Sequence, residues 1–198
     1  VSAAPEPTLS PKGVERRRQI LEAAIRRFAE RGVESASMRD IAAAIGVSHT
    51  ALRHYFATRD ELLVEAYRAH EAGFRGAAPD PGEDAFGAMV DAAERNRAVP
   101  GLVELYAALT TDALQDGHPA ARAFVAGRFA ELRDGLRDAI AQAQMDGRIR
   151  SDLAAADLAA LLIAASDGLQ VQWMLSPESV DVARALELLA RVVERPSD

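Results

Sequence analysis

Three short stretches within twenty-two residues constrain this chain more than anything else in it. "SMRD" places Ser37 three residues before Asp40, "GVSHT" places Ser48 before a new apolar pattern, and "TRDE" places Thr58 three residues before Glu61. Each is a helix-start signal. A hydroxyl side chain accepts from an amide left unpaired in the first turn, and in the first and third stretches an acid three residues on returns a hydrogen bond. Three starts so close together leave room only for short helices, Met38 to Ile45 and His49 to about Phe56, followed by a fourth helix running from Thr58 to about Phe74. Gly46 supplies the left-handed turn between the first two.

Upstream, Ile20, Leu21, Ala24, Ile25 and Phe28 recur at helical spacing, which predicts a helix over Val14–Arg31 that ends at Gly32. Residues 1–12, rich in proline and small residues, read as a disordered arm. Downstream, "GAAPDPGED" reads as a turn. Helices are expected near Asp84–Ala98, Gly101–Gln115, Pro119–Met145, Ala155–Leu175 and Ser179–Glu194. The expectation is an all-α chain of about nine helices. A helix-turn-helix head over residues 13–60 leads into a larger helical domain over 61–198.

Charge and composition narrow the function. The net charge is −7, yet residues 1–60 carry ten Lys/Arg and seven Asp/Glu, a net of +3, which leaves −10 for residues 61–198. A basic head on an acidic body suits a partner with a phosphate backbone. There is no cysteine, so disulfides, thiol catalysis and cysteine-ligated zinc are excluded. The opening "VSAAPEPTLSPKG" lacks the basic and apolar regions of a secretory leader. The longest apolar run, "LAALLIAAS", is too short to span a membrane. A cytoplasmic protein without a membrane partner is expected.

On the third helix, about 100° per residue puts Leu52, Phe56, Ala51 and Tyr55 in one arc and His49, Thr50, Arg53 and His54 in the opposite one. A buried arc behind a polar, cationic outer arc, preceded by a glycine turn, is a helix-turn-helix. Its second helix is sized for a major groove. His49 and His54 are five residues apart, off one line and without a third ligand, so no metal is expected there.

The residues Ser37-Met38-Arg39-Asp40-Ile41-Ala42, Gly46-Val47-Ser48, Leu52, Tyr55-Phe56, Thr58-Arg59 and Leu62 resemble the DNA-binding head of the TetR family of transcriptional repressors. The similarity covers about Arg16 to Leu63. The resemblance implies that Ser37 and Thr58 hold phosphates at helix N-termini, that Ser48 belongs to the DNA-binding set, and that His49 and Thr50 face bases. It also implies that His54 and Tyr55 touch backbone and Arg59 pairs with a phosphate. One departure is Arg53, where family members usually carry tyrosine; whether this arginine reads a base or a phosphate stays open.

The resemblance also implies a homodimer on palindromic double-stranded DNA and a small-molecule effector bound by the middle helices. Two apolar stripes in the last two helices, Leu158, Leu161, Leu162, Ala165, Leu169 and Trp173 with Val182, Leu186, Leu189 and Val193, are expected at the dimer seam, unless they are this subunit's own core. Tyr67, Phe86, Met89, Leu105, Tyr106, Phe124, Phe129 and Gln170 are expected around a largely apolar effector, unless they are plain core. No cofactor is expected. Catalytic signatures such as G-x-S-x-G, a phosphate loop or H-E-x-x-H are absent from the sequence, which disfavours an enzyme. A helical module that binds only proteins is the other alternative, and it gives no reason for the basic outer arc.

Overall fold

The computed structural model of the chain describes residues 10–31, 37–71 and 84–194. Among them are nine helices: α1 Pro11–Arg31, α2 Met38–Ala44, α3 His49–Tyr55, α4 Arg59–Glu71, α5 Ala85–Arg97, α6 Leu102–Ala113, α7 Pro119–Met145, α8 Ala155–Leu175 and α9 Val182–Val193. The fold is all-α. One isolated bridge, Ile149 to Glu194, ties the end of α9 to the α7–α8 connection, where the Arg150 amide donates to the Val193 carbonyl. The turns expected at Gly32 and at 76–83, and Phe74, lie outside the described residues.

The local signals act as their chemistry dictates. Ser37 and Asp40 form a reciprocal capping box, Ser48 Oγ accepts from the Ala51 amide at 3.0 Å, and Thr58 Oγ1 accepts from the Glu61 amide at 3.0 Å. Glu61 returns its bond one residue earlier than expected, accepting from Ala57 rather than Thr58. Helix α1 begins inside the stretch expected to be an arm. Ser10 caps α1 and Pro11 opens it, because a proline at the first helical position gives up an amide that has no intrahelical partner anyway. Between α2 and α3, Gly46 has φ +67°, and its amide and that of Val47 close back onto Ala43 and Ala42. This six-residue closure stops α2 and turns the chain sharply into α3.

Two cores organise the rest. The first joins Ile20, Leu21, Ala24 and Phe28 of α1 and Ile41 of α2 to Leu52 and Phe56 at α3. It continues through Leu62, Leu63, Ala66 and Tyr67 of α4 into Leu102, Leu105 and Leu109 of α6 and Ala121, Phe124 and Val125 of α7. Packing thus runs straight across residue 60, the expected domain boundary. The second core joins α5, the far half of α7, α8 and α9 through Phe86, Met89, Leu136, Ile140, Leu158, Leu162, Val182 and Leu186. Helix α7, 27 residues and about 40 Å long, takes part in both.

Helix α8 is longer as an apolar element than the run read from the sequence. Among the described residues it is the one helix long and apolar enough to cross a membrane by length and composition. Here one of its faces packs on α7 and α9. This packing takes in most of the residues expected at a dimer seam. Leu158, Leu162, Val182, Leu186 and Val193 are buried within this subunit, while Ala165, Leu169, Trp173 and Leu189 pack partly buried on the same core. Trp173 also carries the Arg97 guanidinium over its ring at 5.6 Å. Half of the residues expected at the seam are therefore interior, and the others stay partly open to solvent, Leu161 the most. What α8 and α9 leave in solvent is Leu161, Val171 and Leu175 on α8 and Leu188 and Val192 on α9.

Candidate nucleic-acid interface

Helix α3 is anchored by Leu52 and, at its end, Phe56, both fully buried. Its opposite side presents Thr50, Ala51, Arg53 and His54 to solvent, with His49 and Tyr55 half-buried at the margins. The exposed arc is rotated slightly from the one read off the sequence. Ala51 lies outside and His49 is drawn partly in, because a single methyl loses little by exposure and only Leu52 and Phe56 are large enough to define the buried side. His54 and Tyr55 meet edge to face at 5.7 Å.

The three hydroxyls differ in what they still offer. Ser37 Oγ accepts from the Asp40 amide and donates to Asp40 Oδ2 at 2.5 Å, and the Asp40 carboxylate occupies the N-terminus of α2 where a phosphate was expected. Ser37 therefore serves as a cap whose hydroxyl is already engaged both as donor and as acceptor. Ser48 and Thr58 only accept in their caps, which leaves each O–H available as a donor. Arg59 also departs from expectation. It is half-buried and turned towards the body, with Nη1 3.5 Å from Asp112 Oδ2 on α6. It lines a groove of about 300 Å³ with Glu104, Ala107, Ala108, Thr111, Asp112 and Gln115.

The residues expected around an effector are divided between the two cores. Tyr67, Leu105 and Phe124 belong to the first, with Tyr106 against it; Phe86 and Met89 belong to the second; Phe129 touches both. Tyr67 lies 5.1 Å from Tyr106 and 5.8 Å from Phe124, centroid to centroid. Buried Gln170 donates to Ser166 one turn earlier on its own helix.

The interior of the body carries charge beside these aromatic rings. Arg128 lies over the rings of Tyr106 and Tyr67 at 4.9 and 5.6 Å and pairs with Glu71 at 2.9 Å. Burial raises the Tyr67 hydroxyl pKa and pushes that of Tyr106 up to about 12. Burial also lifts the Asp167 carboxyl from 3.8 to about 6, against the pull of Arg128. Arg128 and Asp167 carry no local motif, so their sequence context gives no sign of them.

A helix-turn-helix with a buried inner arc and a cationic outer arc, fused through a shared core to a helical body, defines a DNA-binding regulator. The comparisons agree. "Bacterial regulatory proteins, tetR family" matches residues 20–66, and "BetI-type transcriptional repressor, C-terminal" matches residues 83–196. The HTH-type transcriptional regulator PksA of Bacillus subtilis is 30% identical over 195 residues, spanning 90% of this chain and 88% of its own. The HTH-type transcriptional repressor Rv1474c of Mycobacterium tuberculosis is 31% identical over 182 residues, spanning 91% and 94%. Among solved structures, the multidrug binding protein EbrR complexed with imidazole superposes with a TM-score of 0.64 at 27% identity, covering 99% of this chain and 100% of that one. The chain belongs to the TetR family of bacterial transcriptional regulators.

The raised Asp167 pKa has a consequence for stability. Between about pH 4 and pH 6 the folded state holds a proton that the unfolded state has released, so stability falls as pH rises through that window. Asp167→Asn should remove this dependence and stabilise the protein at pH 7.5 by about 1–2 kcal/mol, a figure reduced for partial exposure. Urea unfolding of both proteins at pH 4.5 and 7.5 checks it. Equal pH dependence in the two would contradict the assignment.

Proposed function

We propose that the protein is a cytoplasmic homodimer that binds a palindromic operator through α3 and is modulated by a small molecule bound in its body, with no enzymatic activity of its own. The observation that carries the DNA reading is the exposed face of α3, where Thr50, Ala51, Arg53 and His54 stand opposite the fully buried Leu52 and Phe56. Donors from Arg53, Thr50 and His54 suit base edges, and the Ala51 methyl suits the apolar contact of a thymine methyl. Ser48 and Thr58, at the starts of α3 and α4, suit phosphates.

One short helix reads too few bases to select a site, so two copies on a palindrome are needed. The solvent-exposed row Leu161, Val171 and Leu175 on α8 supports a partner there, as do Leu188 and Val192 on α9. Gly168 belongs to the same exposed side of α8, and a methyl added to it would meet nothing within 4 Å in the subunit. Glycine in mid-helix costs about 1 kcal/mol against alanine. Close approach of a partner helix accounts for keeping it.

For the effector, the contact of Tyr67, Tyr106 and Phe124 beside Arg128, Glu71 and Asp167 favours a ligand with an apolar body and one polar group. EbrR is solved with imidazole. Effector binding is carried over to this chain as a class of behaviour, not as that ligand.

Three outcomes are expected. Arg53→Ala should weaken operator binding by about 1–3 kcal/mol and relax preference at one base pair. Fluorescence anisotropy on operator and random DNA measures this, and an equal loss on both makes Arg53 a phosphate contact. Gly168→Leu should leave the fold intact and shift the protein from dimer to monomer in micromolar sedimentation runs; a dimer as tight as wild type would remove α8 from the interface. Small molecules that raise the melting temperature should also change DNA affinity at least tenfold, about 1.4 kcal/mol of coupling. Binders that leave DNA affinity untouched would sink the effector reading.

A further inference from the structure

A second polar cluster lies where the head meets the body, away from α3 and from the aromatic interior. Asp60 in the first turn of α4, Asp112 near the end of α6 and His118 at the N-cap of α7 bring three ligand atoms within 4.8 Å of one another. His118 Nδ1 is 3.5 Å from Asp60 Oδ1 and 3.9 Å from Asp112 Oδ2. The residues come from three separate elements, up to 58 positions apart in the chain.

Two features distinguish this cluster from an ordinary ion-pair network. Asp60 is only 7% exposed, and its Oδ2 accepts from the amides of Ala120 and Ala121 at 2.9 and 3.0 Å. Those two bonds fix the carboxylate and direct Oδ1 at the histidine. Yet Asp60 Oδ1 and His118 Nδ1, both sealed from solvent, have no hydrogen-bond partner. A buried acceptor and a buried ring nitrogen that face each other without a bond are costly unless something between them satisfies both.

The donor set is one imidazole nitrogen and two carboxylate oxygens. Metal–donor lengths of about 2.0–2.2 Å place tetrahedral ligand atoms about 3.3–3.5 Å apart. One observed separation matches this, and the second is within half an ångström. The amides that hold Asp60 Oδ2 are the outer bonds that commonly orient a ligating carboxylate. Charge is compatible too. Two carboxylates face one nearby guanidinium, that of Arg59, 3.5 Å from Asp112 Oδ2. Asp112, one of the three ligand residues, lines the solvent-facing groove beside Arg59.

We propose that Asp60, Asp112 and His118 form a site for a divalent transition-metal ion of the zinc class, with a water or Glu104-side solvent completing the coordination. No local motif marks this cluster in the sequence, where its three residues stand 52, 6 and 58 positions apart. A bound ion ties the first turn of α4, three residues beyond Phe56, to the end of α6 and the start of α7. It therefore clamps the DNA-reading head to the body.

The test is calorimetric titration of chelator-treated, full-length protein with zinc chloride, with magnesium chloride as the comparison. The expected result is one zinc per chain, binding at least tenfold more weakly in both His118→Gln and Asp112→Asn, with magnesium much weaker than zinc throughout. Should either variant fail to fold, anomalous diffraction from zinc-soaked wild-type crystals locates the ion directly, and a peak between the three side chains supports the site. No saturable zinc binding, unchanged binding in folded variants, or a peak at His49 and His54 instead would overturn it.

Discussion

The Asp60 carboxylate pins the start of α7 to the start of α4, across the core that head and body share. It sits in the first turn of α4 and accepts two amides from the first turn of α7, sixty residues away. Those amides would otherwise be unpaired at a buried helix end, and the carboxylate is favoured there by the positive end of the α7 dipole. Arg17 reinforces the junction from the other side, bridging α1 to Glu65 of α4 at 2.5 Å and lying over the Phe56 ring at 5.1 Å. A shift of the start of α7 therefore carries α4 with it. Only Phe56, Ala57 and Thr58 separate α4 from α3, so the reading helix follows.

Magnitudes make this coupling reasonable. Charge-assisted hydrogen bonds contribute about 1.5–3 kcal/mol each. A tenfold change in DNA affinity needs only about 1.4 kcal/mol of difference between two head positions. Weakening one Asp60 bond in one state is thus enough to matter. The interior cluster is placed to exert such an influence. Arg128 on α7 joins Glu71 on α4 and the two tyrosines, so a ligand that competes for any of these contacts acts on both helices at once.

Much of the fold was legible because its signals are local. The caps at Ser37, Ser48 and Thr58 and the glycine at 46 lie within one turn of what they control, and the ends of α7 and α8 agree with the sequence to the residue. The burial of Leu52 and Phe56 followed from periodicity alone. What failed is non-local or undirected. Helix α8 is apolar nearly all round, so periodicity detects stripes but cannot say which one faces inward; Leu158 and Leu162 were assigned outward and are core. The contact of Arg59 with Asp112 spans 53 residues, so the sequence gives no sign of it. Arg128 and Glu71, 57 residues apart, are invisible for the same reason. Ser37 looked available because the sequence shows a hydroxyl but not that both its hydrogen-bonding roles are filled by Asp40.

The central claim is that two copies of α3 read an inverted repeat. Selection of binding sites from a random DNA pool by the purified protein, followed by sequencing, tests it most directly. The account predicts enrichment of a palindrome whose half-sites are related by two-fold symmetry and spaced by about one helical turn or a multiple of it, lost when Arg53 and Thr50 are both replaced by alanine. Enrichment of a single unrepeated motif, or of no motif at all, would contradict it.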